Sequence, residues 1–123
     1  KIFGMDRVDP TRNIYVTEGP FDSLFLDNSI AVAQSDLRVP QFKDKAVLVP
    51  DNEPRNPEIC KQIERCIDEG YKVCLWPNTI KEKDINDMIL SGMLPAEVLG
   101  IIHSNSHSGL KAKTVFNSWK RTY

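Results

Sequence analysis

Short apolar runs alternate with segments of helix length along most of the chain, and this alternation limits the possible folds more than any other feature. The runs cover residues 13–17, 30–33, 46–49 and 72–76. Each has four or five residues, the length of a buried strand and far too short to cross a bilayer. Strands that alternate with helices predict an α/β fold, with a parallel sheet of about four strands and helices on both faces.

Helix signals fill the intervals between the predicted strands. The clearest covers residues 56–70, where apolar residues recur with a period near 3.6 and Gly70 marks the end. Pro95 suits the first turn of a helix, where its missing N–H costs nothing. The other predicted helices cover residues 20–27, 84–91 and 109–121.

An uneven distribution of charge sets the last twenty residues apart. The net charge is −1, yet residues 104–123 hold four basic residues and no acid. We predict an α/β domain with a short lead-in over 1–103, and a basic helical segment packed on it over 104–123. This segment either contacts nucleic acid or forms the solvated face of an amphipathic helix, and the spacing of Val115, Phe116 and Trp119 favours the helix. Its basic residues are Lys111, Lys113, Lys120 and Arg121.

The termini and the cysteines indicate the setting of the chain. Three cysteines without a C-x-x-C pair argue against disulfides and structural zinc, so we expect a reducing cytoplasm. The chain begins with Lys1 and shows no secretory signal, so we expect it to be a piece of a longer protein.

Acidic side chains follow three of the four predicted strands. Glu18 ends the first strand, Asp51 and Glu53 follow the third, and Asp84 follows the fourth after a loop. In such a sheet, ligands bind outside the carboxyl ends of the strands. Unpaired carboxylates in one place repel each other, and Mg²⁺ or Mn²⁺, which prefers oxygen ligands, removes that repulsion. A metal site at Glu18, Asp51 and Glu53 is therefore one interpretation.

The other interpretation is that each acid caps a helix. Asp22 suits the first turn of a helix, and Asp84 suits an N-cap with Asp87 at the third helical position. Glu18, Asp51 and Glu53 fit this less well, because capping does not require three acids at two strand ends. Residue types and spacing leave both interpretations open.

Four short motifs, in order, resemble the Toprim family, the acidic module of bacterial-type primases, topoisomerases and some nucleases. Residues 18–22 (EGPFD) resemble its E-G-x-x-D motif, and residues 51–53 (DNE) stand where it carries D-x-D. Residues 83–87 (KDIND) resemble the K-D-x-x-D/E stretch of its primases, and residues 2–7 are similar to the segment before the first strand in DnaG-like primases. The resemblance covers about four-fifths of the chain and is strongest to primases of tailed bacteriophages. Glu53 in place of aspartate, and Pro54-Arg55 in place of a small Ala-Gly pair, depart from the pattern.

The resemblance implies a Toprim, Rossmann-like fold and the catalytic domain of a DNA primase. Such a domain uses Mg²⁺ or Mn²⁺ in nucleotidyl transfer and makes short RNA primers on single-stranded DNA from ribonucleoside triphosphates. Glu18, Asp51 and Glu53 are the implied catalytic metal ligands, and Glu18 acts either as a ligand or as the general base. Lys83 and Asp84 are implied contacts to the nucleotide or a second metal. Gly19, whose backbone can turn sharply, and Asp22 support the turn after the first strand.

The same resemblance implies the partners and the rival functions. The partners are template, ribonucleotides, RNA primer and, in the full protein, a replicative helicase; the location is the cytoplasm, that of the host if the protein is phage-encoded. Alone, this piece is expected to bind metal weakly and to synthesise little or nothing. The rivals are a DNA-cleaving Toprim nuclease or topoisomerase and a non-catalytic Toprim that binds DNA or partners. None of Tyr15, Tyr71 and Tyr123 is well placed as a topoisomerase nucleophile, and the intact acids argue against the non-catalytic class.

Overall fold

A six-stranded sheet forms the centre of the computed structural model, which describes residues 2–33 and 36–121. The strands lie in the order β1-β3-β2-β4-β5-β6. They are β1 (Ile2–Phe3), β2 (Ile14–Glu18), β3 (Ser29–Val32), β4 (Ala46–Val49), β5 (Lys72–Cys74) and β6 (Ser106–His107). The helices are α1 (Pro20–Ser23), α2 (Pro57–Asp68), α3 (Ile85–Leu90), α4 (Pro95–Ser104) and α5 (Gly109–Trp119), with 3-10 turns at Met5–Arg7 and Pro40–Phe42.

The four predicted strands form the parallel centre of the sheet, but the expectation of a purely parallel, four-stranded sheet is wrong. β1 pairs antiparallel with β3 at one edge, and β6 pairs antiparallel with β5 at the other, where Val73 faces His107. Each added strand has two residues. Two residues are too few to show a periodicity, so no sequence pattern indicates either edge strand. The mixed sheet is compatible with a Rossmann-like fold.

Helices cover both faces of the sheet, as the alternation predicts. Successive strand residues point to opposite faces, so Ile14 and Val16 contribute to one core and Tyr15 to the other. The first core packs against α2 and α5, and the second against α3 and α4. Continuous burial of β3 and β4 follows from this two-sided cover.

A local contact sets the start of α2, and a contact between distant segments sets the end of α1. α2 begins at Pro57 because the Asn56 side chain accepts the N–H of Glu58 at 3.0 Å, as an N-cap does. α1 ends after one turn instead of continuing to residue 27. There Asn28 takes a left-handed conformation (φ 55°), and its side chain donates to the carbonyl of Asn13 at 2.7 Å. This tertiary contact overrides the helical preference of the segment.

The C-terminal basic segment contributes an amphipathic helix, α5. Ala112, Phe116 and Trp119 are buried against the α2 side of the sheet. Lys113 lies 3.5 Å from Asp68 on α2. The division of the chain after residue 103 stays a prediction, and Thr122 and Tyr123 lie outside the described residues. No described helix has the length and apolar character needed to cross a membrane.

Candidate metal centre

The chain reverses its direction of winding between β2 and β4. From β2 it passes to β3 on one side, and from β4 it passes to β5 on the other, while β2 and β4 lie side by side. In open α/β sheets the carboxyl ends of two such strands border a crevice where ligands bind. Glu18 ends β2, and Asp51 follows β4 by two residues. The fold therefore brings both acids to the position where a ligand site is expected.

Three carboxylates meet in this crevice. Asp22, Asp51 and Asp84 each offer an oxygen, and the three oxygens lie within 4.8 Å of one another. Among residues 2–33 and 36–121 they are the single set of His, Cys, Asp or Glu with this spacing. Asp22 comes from α1, Asp51 from the loop after β4, and Asp84 from the N-terminus of α3. The sequence motifs predicted Asp22 as a structural support and Asp84 as a contact to the nucleotide or a second metal.

Asp22 is the most buried member, with 7% of its surface exposed. One of its oxygens accepts the backbone N–H of Asn86 at 2.9 Å, which fixes α1 against α3. The turn that delivers it depends on Gly19, whose φ of 81° and ψ of 143° lie in a region open essentially to glycine alone. Asp22 thus joins α1 to α3 and lies among the candidate ligands, and its predicted support of the turn after β2 stays a prediction.

Asp84 caps α3, as the sequence predicted. Its Oδ1 accepts the backbone N–H of Asp87 at 2.8 Å. A carboxylate has two oxygens and about four lone-pair sites, so this cap leaves capacity for a metal ion. Capping and metal binding are compatible roles at this residue.

The remaining predicted residues lie around the three aspartates. Glu18 is half-buried, and its Oε1 accepts the Nε2 of Gln62 at 3.2 Å. Glu53 is half-buried and lines a neighbouring open depression of about 480 Å³. Neither belongs to the close set of three. Lys83 is exposed beside Asp84, and its carbonyl accepts the N–H of Asn52.

Burial and crowding raise the pKa values of Asp22 and Asp51. Burial raises the pKa of Asp22 to about 6, although the N–H of Asn86 acts in the opposite direction. Burial also raises the pKa of Asp51 to about 8, and the charges of Glu18 and Asp22 add to this shift. Among the described residues, no salt bridge joins any of these acids to a lysine or arginine. The crevice therefore concentrates negative charge without an internal cation.

The donor set fits a hard divalent cation. Mg²⁺ binds oxygen ligands at about 2.0–2.1 Å in an octahedron, which places adjacent ligand oxygens about 3 Å apart and opposite ones about 4 Å apart. The three aspartate oxygens, all within 4.8 Å of one another, are close to that spacing. A cation would also offset the burial and the repulsion that together raise the pKa of Asp51. The arrangement is thus able to bind a metal ion through Asp22, Asp51 and Asp84.

Two amides beside the site were not identified from the sequence. Gln62 lies on the apolar face of α2 with 9% exposure, donates to Glu18 and accepts the N–H of Leu37 at 2.7 Å. A polar residue inside an apolar helical stripe is the signal that could have indicated it. Asn52, between Asp51 and Glu53, bonds to the loop that precedes Asp84. No pattern indicated its role, because its partners lie 28 and 30 residues away.

Comparison with known proteins gives one clear relationship. No family model matches the chain. The chain is similar to a DNA primase of Enterobacteria phage T4, with 44% identity over an alignment of 117 residues, and the match covers 92% of the chain. The match covers 34% of the phage protein, so the chain spans about a third of the length of this curated relative. The chain is therefore related in sequence to a region of a phage DNA primase.

Proposed function

We propose that this chain is the Toprim-type catalytic domain of a DNA primase. The observation that carries the proposal is the set of three aspartates that meet in the crevice at the carboxyl edge of the sheet, within a region 44% identical to part of a phage primase. The full protein would copy single-stranded DNA into short RNA primers from ribonucleoside triphosphates, in the cytoplasm of a host and beside a replicative helicase. The piece described by this sequence would have little activity alone.

In this proposal the acids divide into ligands and supporting groups. Asp22, Asp51 and Asp84 hold a divalent cation, Mg²⁺ or Mn²⁺. When bound, such a cation supplies an activated primer 3′-hydroxyl and neutralises charge on the departing pyrophosphate. Glu18 and Glu53 carry longer side chains at the rim, where they complete the shell of a cation or, for Glu18, accept a proton from the hydroxyl.

Neighbouring groups orient the acids and the substrate. Gln62 holds Glu18 through its Nε2. Lys83 is exposed beside Asp84 and would contact triphosphate oxygens, a contact to which its ammonium group is suited. The low-dielectric setting of Asp22 strengthens its attraction to a cation.

A DNA-cleaving topoisomerase is less well supported. That chemistry needs a tyrosine nucleophile at the acidic edge. Tyr15 lies near the opposite end of β2 with its hydroxyl 2.7 Å from His103 Nε2, and Tyr71 is 2% exposed at the start of the β5 segment. Neither described tyrosine is available to the acids, and Tyr123 lies outside the described residues.

The proposal is tested with Asp51→Asn and Glu18→Gln in the full-length protein. Mn²⁺ titration should show weaker binding in Asp51→Asn, since an amide oxygen replaces a charged ligand. Primer synthesis on single-stranded DNA should be lost in both variants. The metal-free melting temperature should stay equal or rise, because each change removes an acidic group from a cluster whose burial and crowding oppose folding.

Asp44→Asn is the matched control, because Asp44 is exposed and precedes the amino end of β4, whereas the site lies at the carboxyl ends of the strands. It should leave Mn²⁺ binding and primer synthesis unchanged. Equal Mn²⁺ binding in wild type and Asp51→Asn would reject the metal site. Metal-dependent nicking of DNA without primer synthesis would contradict the primase proposal and favour a Toprim nuclease.

A further inference from the structure

Asn52 joins the two loops that carry candidate ligands. Its side-chain Nδ2 donates to the carbonyls of Ile80 and Glu82, at 3.0 and 3.1 Å. Its backbone N–H donates to the carbonyl of Lys83. Asn52 directly follows Asp51, and Lys83 directly precedes Asp84. Three hydrogen bonds therefore connect the segments next to two members of the metal set.

Trp119 of α5 fixes the orientation of the Asn52 amide. The indole Nε1 donates to Asn52 Oδ1 at 3.3 Å. An indole N–H is a donor only, and the two carbonyls on the other side are acceptors only. The amide oxygen must therefore face Trp119 and the amide nitrogen must face the loop. Trp119 is itself held in the core, with 5% exposure and its ring stacked with Phe116 at 6.1 Å between centroids.

Sheet pairing alone does not set the relative position of these loops. The β4–β5 pairing extends to Leu48 and Val73, and β4 ends at Val49. Beyond that point the Trp76 indole donates to the carbonyl of Pro50 at 2.9 Å, which fixes the start of the loop after β4. The bonds of Asn52 come next, and one of them joins the residue after Asp51 to the residue before Asp84.

From these contacts we infer that Asn52 is a positioning residue for the metal centre and that Trp119 fixes the orientation of its amide. Through this hydrogen bond, α5 controls the separation of Asp51 and Asp84. The inference rests on the proposed metal centre and extends it to a residue that would touch neither metal nor substrate. It also gives the C-terminal segment a role at the site without direct contact with nucleic acid.

The test measures Mn²⁺ affinity and metal-free melting temperature in the full-length protein. Asn52→Ala removes the amide, and Trp119→Phe removes the indole N–H while keeping an aromatic ring in the core. Loss of outer-shell contacts typically lowers metal affinity by about 10–100-fold. We expect a loss in that range for Asn52→Ala and a smaller loss in the same direction for Trp119→Phe.

A double variant shows whether Trp119 acts through Asn52. In the Asn52→Ala background, Trp119→Phe should cause no further loss of Mn²⁺ affinity, since interacting residues are non-additive. Ala112→Gly is the control, because it perturbs the same helix and core at a buried position two turns before Trp119, outside the ring stack and the hydrogen bond. It should lower the melting temperature and leave Mn²⁺ affinity unchanged.

The outcomes separate this inference from the proposed function. Wild-type affinity in Asn52→Ala, alongside weak binding in Asp51→Asn, would overturn the positioning role and leave the metal centre standing. Equal losses of affinity in Trp119→Phe and Ala112→Gly would also overturn it, since general loosening of the core would then explain both. Absence of Mn²⁺ binding in the wild type would overturn both proposals.

Discussion

Asp22 and Asn86 are 64 residues apart in the chain, yet the carboxylate of Asp22 accepts the backbone N–H of Asn86 at 2.9 Å. This bond joins the short helix after β2 to the helix that begins at Asp84. It places a buried carboxylate between two others, so a group that braces the fold is also a candidate ligand. The two roles predict different results for substitutions at this position.

Asp22→Asn separates the two roles. The new Oδ1 still accepts the N–H of Asn86, so we expect the metal-free melting temperature to hold or rise as a charge leaves the crevice. Mn²⁺ affinity should fall by at least about tenfold, as expected for an altered metal shell. Isothermal titration beside a melting curve measures both quantities. Asp87→Asn, an exposed neighbour outside the close set, is the control; unchanged affinity in Asp22→Asn would leave this residue with the bracing role only.

The stability of the metal-free protein should fall as the pH rises from about 4 to about 8. Asp22 and Asp51 have raised pKa values in the folded state, to about 6 and about 8. The folded state therefore holds more protons than the unfolded state in this interval, and the free energy of unfolding decreases with pH. Thermal melts in EDTA at several pH values measure this fall, which should be shallower in Asp51→Asn. A stability that rises across the interval in wild type, relative to Asp51→Asn, would contradict the prediction.

Metal binding should show the opposite dependence on pH. Deprotonation of Asp51 and Asp22 supplies the charged ligands, so Mn²⁺ affinity should increase between pH 6 and pH 8. Titration at both pH values in one buffer system measures the change. Asp51→Asn should show a smaller increase, and an affinity independent of pH would indicate that the acids are ionised without the metal.

Gly19→Ala should destabilise the fold through its backbone alone. A Cβ at this position meets no atom within 4 Å, but φ of 81° with ψ of 143° is a region that other residues enter at a cost of about 1–3 kcal/mol. Gly100, inside α4, also has open space and no positive φ. Gly100→Ala should therefore stabilise by about 0.5–1 kcal/mol. Denaturant unfolding measures the free energy of unfolding of both variants. Equal changes in the two variants would contradict a backbone effect at Gly19.

Trp119→Ala should destabilise the protein by about 3–5 kcal/mol, because it removes a large buried ring from the core between α5 and α2. Lys113→Gln breaks a pair with Asp68 in which both side chains are more than half exposed, so its effect should be at most about 1 kcal/mol. Chemical denaturation compares them. A silent Trp119→Ala would mean that α5 does not close the fold.

Local sequence patterns determined the secondary structure elements that have a regular apolar period or a clear capping residue. The four central strands, α2 and the cap at Asp84 could be predicted, because strand alternation, the 3.6 period and capping residues act over a few positions. The same reasoning placed acids at the carboxyl edge of the sheet. It missed β1 and β6, which are too short for any period, and it extended α1 beyond the point where Asn28 bonds back to Asn13.

Only the tertiary structure decided how the acids are grouped. The sequence shows that Glu18, Asp51 and Glu53 follow strands, but their distances depend on how the loops after β2, β4 and β5 pack. That packing brings Asp22 and Asp84 to Asp51, and it depends on bonds such as Asn52 to Ile80 and Trp119 to Asn52, which span 28 and 67 residues. A one-dimensional pattern reports which face or end of an element a residue occupies. The distance between two such ends is set by contacts between segments far apart in the chain, and these exist only once the chain has folded.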